Sequence, residues 1–192
     1  MNMKKLYILL TLIVALGACK PLKDDYGLDN PQQYSRVYLA AAYNGVQEWN
    51  VETPNPVPVK IYANYSGVIA LAADITVTLE ADLSLVSQYN IDNNKDFKAM
   101  PESHFTMEKN TSGIFTGETT STSPAIVNII TAAFSDESTY LLPIRIASVS
   151  DTAIEVNSDL STLYLAVRCK AGTLYLTTNP LVDYTISNPE KW

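Results

Sequence analysis

Two apolar patterns divide the chain. Residues 6–16 form an almost unbroken apolar run behind Lys4 and Lys5, whereas from Tyr34 onward apolar residues come in short runs bounded by turn residues. In the second pattern many apolar and polar positions alternate, and a period of two puts one face of a strand in a core and the other in water. Ile75, Val77 and Leu79 against Thr76, Thr78 and Glu80 is the cleanest case. The same reading predicts strands at 36–43, 57–62, 75–80, 105–107, 112–115, 125–130, 139–147 and 162–168, with 174–177 as an added edge strand. The prolines of Thr53-Pro54-Asn55-Pro56-Val57-Pro58 cannot supply the amides of a central strand, so this stretch reads as a loop or the start of an edge strand.

Helical spacing occurs once with conviction. Leu83, Val86 and Tyr89 predict a short helix over 82–89, capped by Asp82 and crossing from one sheet to the other. Many short strands, one brief helix and frequent turn signals predict an all-β fold, an immunoglobulin-like antiparallel sandwich. A membrane barrel is disfavoured because the segments are short. Pro143, inside a regular apolar run, points to an edge or a bulge, and Tyr140 is placed to bond backbone with its hydroxyl and fix such a corner.

The first pattern is an address. A positive start, an apolar run and small residues leading to a cysteine have the layout of a secretory signal, and Leu16-Gly17-Ala18-Cys19 resembles the lipobox of bacterial lipoproteins, whose cysteine is acylated. The run is shorter than the roughly 20 residues a membrane-crossing helix requires. Cys19 is therefore the expected lipidation site and the link to a membrane. Lys23-Asp24-Asp25 resembles the export signal of Bacteroidetes surface lipoproteins, which implies an outer-membrane protein facing the cell surface. The expected divisions are a signal peptide at 1–18, a lipidated tether at 19–33, a sandwich domain at 34–178 and a C-terminal extension at 179–192.

Removing 18 of 192 residues leaves 174, enough for one domain with a full core. The departing segment takes two lysines, so 11 basic side chains face 20 acidic ones and the formal charge becomes −9. Such a surface repels phosphate backbones, which argues against a nucleic-acid partner. With Cys19 acylated, Cys169 has no partner for an intramolecular disulfide, and its strand-like setting makes it a buried small apolar residue.

Several weak motifs in one order resemble a domain of unknown function from Bacteroidales surface lipoproteins. They are Asp74-Ile75-Thr76-Val77-Thr78-Leu79, Tyr89-Asn90, Met100-Pro101 before Phe105, the stretch 114–117, and Tyr140-Leu141-Leu142-Pro143-Ile144-Arg145-Ile146. That family is an immunoglobulin-like module at the N-terminus of glycan-utilisation lipoproteins, often upstream of chitinase-like or discoidin-like domains. The resemblance implies an accessory role in surface glycan acquisition or adhesion. This sequence ends at Trp192, so the activity of such downstream domains does not carry over.

Candidate chemistry is sparse. His104 is the sole histidine, so any Ser-His-Asp or Cys-His unit would depend on it, and its position beside Phe105 suits a structural role. No pair of carboxylates sits in a glycosidase motif, and no enzymatic function or cofactor is expected. Asp92-Asn93-Asn94-Lys95-Asp96 begins like a calcium loop, but Phe97 stands where glycine is needed and Ser103 where a bidentate glutamate belongs; an Asx-rich turn after the helix, with no metal, is the expectation. Asp151-Thr152-Ala153 resembles a short acceptor for bacterial O-glycosylation. Sugar binding requires exposed rings beside polar partners. Trp49, in what reads as the loop Asn44-Gly45-Val46-Gln47-Glu48-Trp49-Asn50, is the first candidate for a glycan ligand and Trp192 the second; the 12 tyrosines add little, because sandwich strands use tyrosine freely. The other reading is a spacer or assembly subunit that holds partner proteins through an edge strand.

Overall fold

The alternating segments fold as strands whose inward residues meet in one core. The computed structural model describes residues 29, 31–42, 49–52, 56–134, 138–170 and 173–178, with backbone alone at 32, 49–52, 169–170 and 173–178. The strands are β1 (Arg36–Leu39), β2 (Trp49–Glu52), β3 (Val57–Ile61), β4 (Ala63–Ser66), β5 (Ile75–Ala81), β6 (Lys98–Ala99), β7 (Phe105–Lys109), β8 (Thr111–Ile114), β9 (Ala125–Ile129), β10 (Tyr140–Val149), β11 (Glu155–Val156), β12 (Thr162–Lys170) and β13 (Thr173–Thr178). One α-helix, α1 (Leu85–Asn93), lies between β5 and β6.

A large sheet runs β2-β13-β12-β10-β5-β8, with β6 beside β10, and two small sheets run β11-β1-β4 and β3-β9-β7. Val77 and Leu79 of β5, Leu142 and Ile144 of β10 and Leu165 of β12 pack with Val37 and Leu39 of β1, Val59 of β3 and Val127 of β9 in one apolar core. The expected all-β sandwich with one short helix is the observed fold. Two of its pairings are parallel, β1 with β11 and β6 with β10. The remaining strand pairings are antiparallel.

Several expectations require correction. The helix begins at Leu85, and Asp82 lies ahead of it, accepting from Ser84 N at 3.2 Å and from Ser84 Oγ at 2.5 Å in an Asx turn. The helix does not cross between sheets either. It leaves β5 and returns as β6 on the same side of β10, covering the outer face of the large sheet with Val86 and Tyr89 against Leu141 and Ala166. β13 is not an edge, because β2 pairs with its far side. β1 stops at Leu39, where the run Ala40–Ala42 turns as a 3-10 helix.

Pro143 sits in the middle of a central strand, and the bulge falls further on, between Ile146 and Ser148. Its carbonyl accepts from Asp82 N at 3.0 Å, on the side of β10 away from β12. In an antiparallel strand a residue's N and O point to the same side. The missing donor therefore faces the gap between the end of β5 and β6, and the ladder to β12 is intact.

Tyr65 fixes one corner of the sandwich through its hydroxyl. Tyr65 is 5% exposed, donates from its hydroxyl to Ile69 O at 2.8 Å and shares a hydrogen bond with Ser35 Oγ at 2.9 Å, tying β4 to the start of β1. Tyr140 closes one end of the core against the rings of His104 and Phe134, at 5.4 and 5.5 Å. Among the described residues no helix is long and apolar enough to cross a membrane.

Candidate functional site

The proposed lipidation site Cys19 and the candidate ligand residue Trp192 lie outside the described residues. Trp49 opens β2 in register with Leu176 of β13, so this part of the expected loop is strand; its side chain lies outside the description. Cys169 lies on β12 opposite Leu174. His104 packs edge-on to Phe134 at 4.7 Å, with Ser103 Oγ 3.1 Å from its Nδ1, a packed position at the sandwich end. The Asx residues of the calcium-like stretch are spent on the helix end. Asp92 accepts from Gln88 at 2.6 Å, Asn93 donates to Tyr89 O at 2.9 Å, and Asn94 takes the left-handed cap conformation at φ 51°. No group of three or more His, Cys, Asp or Glu among the described residues is arranged to hold a metal ion.

Aromatic and charged groups come together where α1 lies on the outer face of the large sheet. Strand parity puts Leu163, Leu165 and Val167 of β12 inward and Tyr164 outward, opposite Pro143 of β10. The i, i+3 spacing of Val86 and Tyr89 turns both toward the sheet. The Tyr89 ring lies 4.4 Å from that of Tyr164 and stacks at 6.2 Å on Phe97. Phe97 is held in place because Asn90 donates to its carbonyl at 2.8 Å and accepts from its amide at 3.1 Å. Tyr164 is partly exposed at the rim of α1, and the adjoining row of the sheet carries Thr162, Arg145 and Glu80 side by side.

Arg145 pairs with Glu80 and places its Nε 3.0 Å from Asp82 Oδ2, an ion pair whose N–H is not aligned as a hydrogen bond. Hydrogen bonds from the Ser84 hydroxyl and amide, with the Arg145 charge beside them, hold the Asp82 carboxyl below its ordinary value against a smaller opposing effect of burial. Burial, with Tyr164 alongside, pushes the Tyr89 phenol up to about 12. Burial raises Tyr164 as well, followed by the negative charges of Asp92 and Asp82. Tyr89 is 4% exposed, and its hydroxyl has no hydrogen-bond partner among the described residues. An unmet buried hydroxyl costs about 1–3 kcal/mol. The arrangement puts a partly exposed ring beside a guanidinium and two carboxylates on one face of the large sheet.

The helical spacing placed Tyr89 on the helix but did not show its ring partner Tyr164. The available signal was parity: in Leu163-Tyr164-Leu165-Ala166-Val167 the apolar positions claim one face, which leaves an aromatic ring on the other.

Comparison with known proteins adds a family and a fold. A family model described as an N-terminal domain matches residues 29–153, well over half of the chain. No curated protein matches it. Among solved structures, a candidate carbohydrate-binding protein from Bacteroides ovatus is similar with TM-score 0.52 and 18% identity, over 67% of this chain and 35% of that one. A two-domain protein of unknown function from Bacteroides fragilis is similar with TM-score 0.50 and 16% identity, over 76% and 49% of the two chains. EndoBT-3987 from Bacteroides thetaiotaomicron reaches TM-score 0.48 at 15% identity, over 58% and 26%. The chain thus spans about a third to a half of the length of the first two structures. The N-terminal module and sandwich expected from the motif order agree with this family and fold.

Proposed function

We propose that this chain, which belongs to the family of N-terminal domains matched over residues 29–153, is a lipid-anchored accessory protein of the cell envelope that binds glycan and carries out no catalysis. Acylation of Cys19 would hold it on the outer membrane, and Lys23-Asp24-Asp25 supports a position facing the cell surface. The observation that carries the glycan reading is the outer face of the large sheet, where the partly exposed Tyr164 ring adjoins the Arg145, Glu80 and Asp82 row. Pyranose rings stack their C–H faces on such aromatics while carboxylates and guanidinium groups bond their hydroxyls. The likeness in fold to a candidate carbohydrate-binding protein agrees with that reading.

The edge-strand assembly reading gains less support. β3, at one edge of its sheet, carries Pro58 and Lys60, and β7, at the other, is bulged between Met107 and Lys109. Proline, lysine and bulges all discourage strand addition.

A glycan array probed with the mature chain tests the function, with Tyr164→Ala, Trp49→Ala and Trp192→Ala in parallel. The expected result is binding that falls with Tyr164→Ala and glycans recovered uncleaved; cleavage products would refute the non-catalytic reading. Cell fractionation tests the anchor: Cys19→Ser should move the protein out of the membrane fraction.

A further inference from the structure

We propose that Thr152 is a site of covalent O-glycosylation, with Asp151 as the carboxylate by which the modifying enzyme reads it. This rests on the cell-envelope part of the functional reading above and not on its glycan-binding part.

Asp151-Thr152-Ala153 is a motif that the binding reading leaves unused, and Asp151 is the only aspartate in the sequence followed directly by serine or threonine. The fold puts these three residues, all exposed, on the turn that links β10 of the large sheet to β11. Two hydrogen bonds make the turn. The Ile154 amide donates to Asp151 O at 3.2 Å, which places Thr152 and Ala153 at the two central positions, and the Ala153 amide donates to Asp151 Oδ1 at 2.9 Å. Neither bond involves the Thr152 side chain. Both flanks are pinned. The Ser150 amide donates to Thr76 O at 2.9 Å and the Thr76 amide to Ser150 Oγ at 2.9 Å, while Ile154 is buried in the main core and Arg36 pairs with Glu155 at 3.0 Å. Hydroxyls beside other aspartates are already engaged: Ser84 Oγ donates to Asp82, and Thr116 Oγ1 to Asp74.

An enzyme that modifies a folded chain must surround the acceptor, so it requires an exposed loop tip of small and polar residues. Ala153 is the small neighbour here, and Asp151, with one oxygen fixing the turn, holds a negative charge next to the acceptor. In the transfer, Thr152 Oγ1 attacks the anomeric carbon of an activated glycosyl phosphate. The bond from that carbon to Oγ1 forms as its bond to the phosphate oxygen breaks; the phosphate leaves with the electron pair, and the hydroxyl proton passes to a base of the transferase.

The test is peptide mass spectrometry on the full chain expressed in a Bacteroides host, with membrane and cytoplasmic fractions taken separately and Thr152→Ala, Thr152→Ser and Asp151→Asn in parallel. In the membrane fraction the peptide carrying Thr152 should gain a glycosyl mass that is lost in Thr152→Ala, kept in Thr152→Ser and lost in Asp151→Asn. Asparagine keeps an oxygen for the Ala153 amide, so Asp151→Asn should melt together with Thr152→Ala; a lower melting temperature would assign its loss of sugar to a broken turn and overturn the recognition role. Glycosylation unchanged in Asp151→Asn would overturn that role as well. A phosphate on Thr152 in place of a sugar would overturn the class of modification. A bare Thr152 in the membrane fraction would overturn this proposal and leave the envelope reading standing, whereas a chain confined to the cytoplasm would overturn both.

Discussion

Tyr65 and Gly67 form a tight local unit, and the second residue exists for the first. A Cβ at Gly67 would lie 2.4 Å from the Tyr65 hydroxyl and 2.9 Å from Ser35 Oγ, inside the hydrogen bonds that join β4 to the start of β1. Gly67→Ala should displace the hydroxyl and cost about 1–3 kcal/mol, since buried polar groups lose their partners. Urea denaturation checks it, and a midpoint equal to the parent's would show that the pair moves apart without penalty. Tyr65→Phe in the Gly67→Ala background should add little further loss, because both changes remove the same bonds. The sequence pointed to Tyr140 as a corner tyrosine and gave no such role to Tyr65. Pro143 drew attention to Tyr140, whereas the signal at Tyr65 was the glycine two residues later, whose need for space appears only when Ser35 folds against it.

Among the elements, strands with strict alternation were legible. Ile75, Val77 and Leu79 of β5 and Val57, Val59 and Ile61 of β3 are buried as their spacing predicts. β6 and β11 have two residues each and were not legible, because pairing with β10 and β1 rather than local pattern makes them strands. The helix was found but displaced, since its Asx-rich end resembles a loop and acts as a cap. Val86 belongs to a small cluster with Tyr89, Leu141 and Ala166, separate from the main core. Val86→Ala should therefore loosen α1 by about 1–3 kcal/mol. Amide exchange should quicken in α1 while β9 and β12 keep their protection; quickening throughout the sandwich would show that α1 is not a separate unit. At the far end of β5, Asp74 accepts from Thr116 N at 2.7 Å and Thr116 Oγ1 at 2.8 Å, next to a turn with Gly117 at φ +82°. The Thr116 amide first, and then its hydroxyl, hold the Asp74 carboxyl below its ordinary value. A lowered folded value means that the stabilisation is present above the ordinary value and is lost as pH falls through the folded one. Asp74→Ala should be less stable than the parent at neutral pH, and denaturation in acid should show the gap closing; a gap that persists there would assign the loss to something other than the charge.

At the scale of the molecule, the strand pattern announced a sandwich, but the order of its strands depends on long-range pairing that no local pattern records. The meeting of α1 with β12 followed the same rule. Tyr164 and Tyr89 are 75 positions apart and meet only because α1 returns to the sheet that it left. The sheet order also shows which edge needs protection. β3 is bounded on one side by β9 and has no strand partner on the other among the described residues. Its sequence Val57-Pro58-Val59-Lys60-Ile61 is buried at the apolar positions and exposed at Pro58 and Lys60. Without those two residues it would be a five-residue apolar strand with a full set of amides, the kind of edge that recruits another chain. Replacing both, Pro58→Thr with Lys60→Thr, keeps the β-branched alternation, restores one donor and removes one charge. The variant should associate with rising concentration over roughly the micromolar to millimolar range in which exposed edges become adhesive. Sedimentation velocity should then show the weight-average coefficient climbing relative to the parent at equal loading, with the single substitutions in between. Identical profiles for parent and double variant would mean that Pro58 and Lys60 do not guard this edge, and would return edge-strand assembly to consideration as a function of the sandwich.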